Sequence, residues 1–179
     1  MKISKKQKNN FIKSLKQVGD YLLKKRSHFL NKGNWNKGQF KNESDKIIDK
    51  ILKDKLRSIL DVPILSEEKI IKINKNKNIY WLIDPIDGTA SYANGYDGFV
   101  TQAALIKDNQ PILAGVFAPQ KKLMFHAIKN GGAFLNNKKI FIKKNTIVDN
   151  IIDNFNKPYG ITAKIFNNFN YSKYIECGS

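Results

Sequence analysis

The first sixty residues contain two stretches in which apolar side chains recur every three or four positions. The first stretch covers residues 3–31, and the second runs from about residue 43 to residue 60. This spacing places the apolar side chains on one face of a helix, so it predicts two amphipathic helices. The residues between them, 31–40, include two glycines and predict a loop. Asn42 or Ser44 is positioned to cap the second helix.

Beyond residue 61 the pattern changes to short apolar runs that are typical of strands. "VPILSEE" predicts a short strand that ends on two acids, and "IYWLI" predicts an apolar strand that runs into Asp84. The runs "FVTQAALI", "PILAGVFA" and "KLMFHAI" are separated by polar turns and predict an antiparallel meander. "GGAFLNNKKIFI" adds a hairpin around its two asparagines. From about Asp149, "NIIDNF", "ITAKIFNNF" and "YSKYIECGS" predict the opening of a β-α-β unit.

The order of two helices, a meander and a β-α-β unit predicts a layered α+β protein, and the composition supports a folded chain. The chain has 179 residues, of which 41% are hydrophobic, enough for a sizeable core and against global disorder. It contains no apolar run as long as a membrane-spanning helix needs, and no secretory signal follows its basic start. We therefore expect a cytoplasmic protein. Cys177 is the only cysteine, which excludes an internal disulfide and predicts a buried, reduced thiol.

The net charge of +17 raises the question of nucleic-acid binding. Nearly all of the positive charge comes from lysine, and Arg26 and Arg57 are the only arginines. A phosphate-binding groove would be expected to use arginine for bidentate contacts and aromatic side chains for stacking. Lysines spread through every segment favour a solvated surface and no specific nucleic-acid partner. Their field could still attract a small anionic substrate.

The candidate chemistry lies in "WLIDPIDGT", where two carboxylates follow an apolar strand. The proline and Gly88 should bend the chain so that Asp84 and Asp87 converge on one point. Converging carboxylates repel one another unless a cation lies between them, and hard oxygen ligands suit Mg²⁺. The carbonyl of Ile86 is a further oxygen, and Thr89 can open a short helix whose first amides face an anion. The alternative is an ordinary loop, because Asp-Pro and Asp-Gly are common turn pairs.

These residues also carry a resemblance. "WLIDPIDGT" resembles the signature of the inositol monophosphatase superfamily of Mg²⁺-dependent, lithium-sensitive phosphatases. Further segments resemble that family in the same order along the chain: "ILSEE", "KGQFKNESDKIIDKIL", "GGAFLNNKKI" and the closing "ECGS". The resemblance implies a layered αβαβα sugar-phosphatase-type fold. Residues 1–148 would form an N-terminal α+β metal-binding domain, and residues 149–179 the beginning of a C-terminal α/β domain.

The resemblance implies a role for each matching residue. Glu67, Asp84 and the carbonyl of Ile86 would hold one Mg²⁺, and Asp84 and Asp87 would contribute to a second. Glu67 would also orient the attacking water. Glu68 is expected to face solvent beside it.

The remaining implied roles concern the substrate side of the site. Thr89 would help to orient the water, with Asp45 as the partner of its hydroxyl group. The amides of Gly88 and Thr89 would bind the phosphate, and Asp87 would lie beside the substrate. Catalytic roles are thereby assigned to Glu67, Thr89 and Asp45.

Two departures from the family pattern change what is expected of the chain. Glu43 stands where the family usually has threonine ahead of the acid that corresponds to Asp45. The family also has a metal-binding aspartate in a later Trp-Asp pair, whereas Trp35 and Trp81 are followed here by asparagine and leucine. The sequence therefore resembles roughly the first two-thirds of such an enzyme, truncated at its C-terminus.

The function implied is that of a Mg²⁺-dependent phosphomonoesterase that uses a metal-activated water. Its substrate would be a small phosphate monoester: an inositol phosphate, a 3′-phosphonucleotide or histidinol phosphate. The runs "QAALI" and "PILAGVFAPQ" resemble the 3′(2′),5′-bisphosphate nucleotidase branch slightly more than the other branches of the superfamily. The alternatives are an inactive fragment that binds only metal or anions, and a basic nucleic-acid-binding protein. No membrane partner is expected, and a homodimer is left open for a full-length protein.

Overall fold

The computed structural model describes residues 1–36, 39–68, 78–142, 148–153, 157–168 and 171–176. Within them the chain divides into two compact units, Met1–Ile140 and Phe141–Ser179. The assignment of residues 1–148 and 149–179 to separate functional domains stays a prediction. The expectations for Cys177 and for the closing Gly-Ser pair lie outside the described residues. No helix in the described ranges is long and apolar enough to cross a bilayer.

Helix α1, Lys5–Phe29, confirms the first predicted helix. It begins at Lys5 because Ser4 is its N-cap: the hydroxyl of Ser4 accepts the Gln7 amide at 3.1 Å, and the Gln7 side chain accepts the Ser4 amide at 3.0 Å. The apolar face of the helix is fully buried, at Phe11, Leu15, Val18 and Leu22. Burial of side chains of this size contributes about 1.5–3 kcal/mol each.

The segment predicted as a loop between the two helices contains a short antiparallel hairpin. Strand β1, Asn34–Asn36, pairs with strand β2, Gln39–Lys41, so the prediction of a plain loop was wrong. Strands of three residues give almost no periodic signal, which is why the sequence pattern did not reveal them. The hairpin ends directly before Asn42 and therefore positions Lys41 beside the start of the second helix.

Helix α2, Glu43–Arg57, confirms the second predicted helix and ends three residues earlier than expected. Of the two candidate caps, Asn42 is the one used. Its side-chain oxygen accepts the Ser44 amide at 2.9 Å, and the Asp45 carboxylate accepts the Asn42 amide at 2.8 Å. This reciprocal cap turns Asp45 back towards the start of the helix and buries it.

The first unit is built on a sheet that we call the main sheet. Among the described residues it contains seven strands: β3 (Ile64–Ser66), β4 (Ile79–Asp87), β5 (Val100–Lys107), β6 (Gln110–Ala118), β7 (Leu123–Ile128), β8 (Gly132–Leu135) and β9 (Lys138–Ile140). The strands lie in chain order, with a short helix α3, Thr89–Ala93, between β4 and β5. Strand β3 is parallel to β4, and every later pair is antiparallel. The predicted meander and the hairpin at Asn136 are confirmed.

The two helices cover one face of the main sheet. Trp81 of β4 is fully buried and stacks on Phe11 of α1, with ring centres 5.6 Å apart. Helix α1 lies close to β6 because glycine occupies both sides of the contact. A Cβ at Gly19 would lie 2.5 Å from the Phe117 ring, and one at Gly115 would lie 2.8 Å from Leu15. This close packing fixes α1 against one face of the main sheet, whereas the site lies at the ends of its strands.

The second unit is a β-α-β unit, as the sequence predicted. Strand β10, Val148–Asp153, and strand β11, Tyr171–Glu176, are parallel, and helix α4, Ile161–Asn168, connects them. Parallel strands need such a crossover because a tight turn can join only antiparallel neighbours.

Candidate functional site

Strand β4 continues through the acidic segment and does not end at residue 83 as predicted. Asp84 pairs with Gln102 and Asp87 pairs with Val100, so two residues of β4 lie opposite the single residue 101 of β5. This two-against-one pairing is a β-bulge. Pro85 is tolerated in the strand because it lies within the bulge, where the regular ladder of hydrogen bonds is interrupted. The bulge replaces the turn that was expected between Asp84 and Asp87.

Two strand ends bring the predicted acids to one edge of the main sheet. Ser66 at the end of β3 pairs with Ile83 of the parallel strand β4. Glu67 and Asp84 are therefore the next residues on two neighbouring parallel strands. The carboxyl ends of parallel strands meet at the same edge, which is where open sheets place their ligands.

The surroundings of Asp84 disfavour its charged form. The pKa of Asp84 is raised to about 6, chiefly by burial and, in the same direction, by the charges of Glu67 and Asp87. Hydrogen bonds from the Gln102 side chain and the Ile86 amide act in the opposite direction. Two of the predicted metal-binding carboxylates, Glu67 and Asp87, therefore act on the third, Asp84.

Gln102 is a site residue that the sequence analysis missed. Its Nε2 donates to Asp87 Oδ2 at 2.9 Å and lies 3.5 Å from Asp84 Oδ2. The amide therefore bridges both aspartates across the bulge. Its position opposite Asp84 in the antiparallel pair of β4 and β5 was the available signal, and it required the exact register to be known.

Gly88 and Thr89 form the turn that follows the bulge. Gly88 has φ +87° and ψ 39°, in the left-handed region, and a Cβ there would lie 2.5 Å from the Gly98 carbonyl oxygen. Helix α3 begins at Thr89, as its predicted role at the start of a short helix requires. The Thr89 hydroxyl lies 2.9 Å from the Ile86 carbonyl oxygen and 3.2 Å from Asp45 Oδ1. The predicted pairing of Thr89 with Asp45 is thus present in the structure.

Asp45 is buried, with 4% of its surface exposed. Burial raises the pKa of Asp45 to about 6, and the charge of Glu68 acts in the same direction. The hydrogen bonds from the Asn42 amide and the Thr89 hydroxyl, together with the charge of Lys41, oppose this shift. A carboxylate with these two donors is fixed in orientation, so it also fixes the Thr89 hydroxyl.

Glu67 and Glu68 differ from what was expected of them. The Glu67 side chain is 42% exposed, whereas that of Glu68 is 15% exposed. The prediction that Glu68 faces solvent was wrong, because its carboxylate turns inward to the Lys41 ammonium at 2.6 Å. Lys41 also lies 3.5 Å from Glu67.

The carboxylates do not form a closed metal cluster as they stand. Within the described ranges, no three Asp, Glu, His or Cys side chains are placed so as to hold a metal ion together. The donor set nevertheless fits a hard cation, because it consists of carboxylate and carbonyl oxygens. The effect of Glu67 and Asp87 on the pKa of Asp84 is also a repulsion that a cation would relieve.

An open groove adjoins this group of acids. It has a volume of about 450 Å³ and runs along the face of the main sheet that α1 and α2 leave uncovered. Glu67, Asp84 and Gln102 line one end, and the remainder is lined by apolar residues of β4, β5 and β6, among them Leu82 and Ala114. Polar groups thus lie at one end of a largely apolar surface.

The sequence of this chain is similar to those of known proteins. The Nus factor SuhB of Xylella fastidiosa is 30% identical over 138 residues, which cover 74% of this chain and 48% of that protein. The 3′(2′),5′-bisphosphate nucleotidase CysQ of Haemophilus influenzae is 33% identical over 125 residues, 68% of this chain and 45% of that protein. The chain therefore spans about half the length of these curated relatives.

Solved structures with a similar fold come from the same group of proteins as these relatives. A crystal structure of an IMPase/NADP phosphatase complexed with NADP and Ca²⁺ matches with a TM-score of 0.79 at 22% identity, over 97% of this chain and 68% of that one. The predicted α+β, inositol-monophosphatase-type fold is confirmed. The sequence profile described as the inositol monophosphatase family matches residues 7–168. The chain belongs to the inositol monophosphatase family.

Proposed function

We propose that this chain binds Mg²⁺ and takes part in the hydrolysis of a small phosphate monoester. The observation that carries the proposal is the environment of Asp84. The half-buried Asp84 carboxylate has a pKa of about 6, raised by burial and by the charges of Glu67 and Asp87, and it lies in the strand that leads into the turn at Gly88 and Thr89. A site that concentrates negative charge in this way is suited to a divalent cation and to the phosphate bound with it.

Four residues would hold the metal. Glu67, Asp84 and the Ile86 carbonyl would bind one Mg²⁺, and Asp84 and Asp87 would contribute to a second. Such cations offset the negative charge of a phosphate and make a nearby water more acidic. Thr89 has a single hydroxyl hydrogen, so when it donates to Asp45, both lone pairs of the Ile86 carbonyl oxygen, 2.9 Å away, would be left for the cation.

The remaining groups would bind and orient the reactants. The amides of Gly88 and Thr89, at the start of α3, would donate to phosphate oxygens. Asp45 accepts the Thr89 hydroxyl hydrogen, which leaves the lone pairs of Thr89 Oγ1 directed away from Asp45 and able to accept from a water. Glu67 would take a proton from that water.

The proposed substrates are an inositol phosphate, a 3′-phosphonucleotide or histidinol phosphate. The similarity to CysQ, a 3′(2′),5′-bisphosphate nucleotidase, supports the nucleotide member of this group. The groove beside Asp84 offers about 450 Å³ for the non-phosphate part of the molecule. The net charge of +17 favours the approach of a doubly phosphorylated nucleotide over that of a monophosphate.

The second candidate function is a metal- or anion-binding module without turnover. It is favoured by one observation: Gln102 and Lys41 engage the carboxylates, so the acids do not close on a common point in this structure. The enzyme and the metal-binding form of the module both require Mg²⁺ to bind. They differ in whether phosphate is released.

The test uses Asp84→Asn, with Asp54→Asn as the control. Asp54 is an exposed acid that pairs with Arg57 on α2, so its substitution removes the same charge away from the site. Calorimetric titration should show Mg²⁺ binding to the wild type and to Asp54→Asn but not to Asp84→Asn. Equal Mg²⁺ affinity in all three proteins would refute the metal site. Phosphate release from adenosine 3′,5′-bisphosphate and inositol phosphate at millimolar Mg²⁺ then separates the enzyme from the binding module.

A further inference from the structure

Lys41 lies between two carboxylates at the edge of the candidate site. Its Nζ is 2.6 Å from Glu68 Oε1 and 3.5 Å from Glu67 Oε1. Its position is fixed by the backbone, because Lys41 is the last residue of β2 and pairs with Asn34 in the hairpin. The hairpin thus places the Lys41 ammonium beside the two acids, which lie 26 and 27 residues later in the chain.

The charge of Lys41 is maintained by its acidic neighbours. Burial opposes the charged form, but the hydrogen bond to Glu68 and the charges of Glu68, Glu67 and Asp45 outweigh it and raise the pKa of Lys41. A lysine side chain is an ammonium at neutral pH, and here it lies 2.6 Å and 3.5 Å from two carboxylate oxygens. It acts on Glu67, which the proposed function assigns to the metal.

Lys41 is bound more closely by Glu68 than by Glu67. The contact with Glu68 is a short charge-assisted hydrogen bond, whereas the contact with Glu67 is at the limit of one. Glu68 is also the more buried acid, at 15% against 42% exposure. Lys41 is thus held mainly by Glu68, and Glu67 keeps oxygens directed to solvent. A divalent cation on Glu67 would meet the ammonium as a like charge.

We infer that Lys41 is a tethered cation that offsets part of the charge of Glu67 and Glu68 in the metal-free protein and opposes metal binding, and that Glu68 keeps it from engaging Glu67 fully. Lys41 and Glu68 are positioning residues in this scheme. The inference rests on the proposed function, because it concerns the same metal site. It adds a built-in limit on metal affinity that the hairpin β1–β2 supplies.

The first test compares Lys41→Met with Lys55→Met. Lys55 on α2 donates to Gln17 at 2.7 Å, so the control removes one positive charge and one hydrogen bond away from the site. Calorimetry should show that Lys41→Met binds Mg²⁺ about three- to tenfold more tightly than the wild type, on the scale of one charged contact. Lys55→Met should match the wild type. In thermal unfolding, Mg²⁺ should raise the midpoint of Lys41→Met by more than that of either reference protein.

The second test uses Glu68→Gln alone and in the Lys41→Met background. Glu68→Gln should weaken Mg²⁺ binding, because Lys41 is released to pair with Glu67. In the Lys41→Met background the same substitution should have a clearly smaller effect, since no ammonium remains to be released. A double-mutant cycle measures this coupling directly. A merely structural role of Lys41 would give weaker binding in every variant and no coupling of this sign.

The outcomes separate this inference from the proposed function. Mg²⁺ binding by the wild type, with equal or weaker binding by Lys41→Met, overturns the inference and leaves the metal site intact. No Mg²⁺ binding by either protein overturns both. Lys41→Gln removes the charge but keeps a donor for Glu68, so it carries the same test if the methionine variant does not fold.

Discussion

The hydroxyl of Thr89 lies 3.2 Å from Oδ1 of Asp45, a residue 44 positions earlier in the chain. This hydrogen bond joins the start of α2 to the turn that follows β4. Asp45 is turned towards Thr89 by the cap of its own helix, in which it accepts the Asn42 amide at 2.8 Å. Helix capping and site geometry therefore depend on the same carboxylate.

Thr89→Val should lower the free energy of unfolding by about 1–2 kcal/mol. The valine has nearly the same shape but leaves the buried Asp45 carboxylate without its hydroxyl donor. Thr89→Ser is the control, because it keeps the hydroxyl group, and it should cost less. Urea denaturation measures both. Phosphate release, where the wild type shows it, should fall with Thr89→Val and survive in part with Thr89→Ser. Identical stability of the two variants would contradict the pairing.

The unfolding free energy should depend on pH through Asp45. Its pKa in the folded protein is about 6, above the model-peptide value of 3.8, so the folded state binds the proton at higher pH than the unfolded chain. Stability contributed in this way increases as pH falls from about 7 towards 4 and is lost as pH rises through 6. The full shift corresponds to about 3 kcal/mol.

Asp45→Asn is the variant that checks this pH dependence. Urea denaturation at pH 5 and pH 7 should show a smaller difference between the two conditions for Asp45→Asn than for the wild type. Asp54→Asn, at an exposed position on the same helix, should keep the wild-type difference. The same pH response in all three proteins would contradict a raised pKa at Asp45.

Gly88→Ala should lower the free energy of unfolding by about 3 kcal/mol. The residue has φ +87°, and the new Cβ would lie 2.5 Å from the Gly98 carbonyl oxygen. Gly95→Ala is a matched control, because Gly95 has φ +85° and its Cβ would meet only Leu30 at 3.6 Å. The control should cost about 1 kcal/mol from backbone strain alone. Thermal or urea unfolding that shows equal costs would mean that the contact with Gly98 relaxes.

Arg26→Met should lower the free energy of unfolding by about 2 kcal/mol. The guanidinium donates to the carbonyl of Tyr92 at 3.4 Å and to that of Tyr96, and its centre lies 5.1 Å from the Phe99 ring centroid. It therefore ties α1 to the segment after α3. Arg57→Met is the control, because Arg57 is 54% exposed and pairs only at 3.6 Å with Asp54, and it should cost less than about 0.5 kcal/mol.

Hydrogen exchange gives Arg26→Met a local measure as well. The segment 94–98 packs against the turn at Gly88, because the carbonyl oxygen of Gly98 lies close to the Gly88 backbone. Loss of Arg26 should therefore increase amide exchange in this segment and in the turn before it. Unchanged exchange there, together with reduced overall stability, would show that Arg26 acts only on α1.

Much of the fold and the identity of the acids could be predicted from sequence because these features are local. The periodicity of α1 and α2 reflects which side chains face the core, and the strand runs of the meander are separated by short turns. Asp108 and Asn109, both at positive φ, form one of these turns, and residues of this type favour that conformation. The acids of "DPIDGT" are three positions apart in sequence, so their approach required no knowledge of distant contacts.

Contacts between distant segments were decided only by the tertiary structure. The bulge at Asp84–Asp87, the bridge from Gln102 and the inward turn of Glu68 to Lys41 all depend on strand register or on which elements lie side by side. A one-residue difference in register would place Gln102 on the opposite face of the sheet. Glu67 and Glu68 are the same residue type in neighbouring positions, and the one that contacts the Lys41 ammonium at 2.6 Å is the more buried. Charge and polarity are properties of the sequence, but partners across the sheet follow from packing.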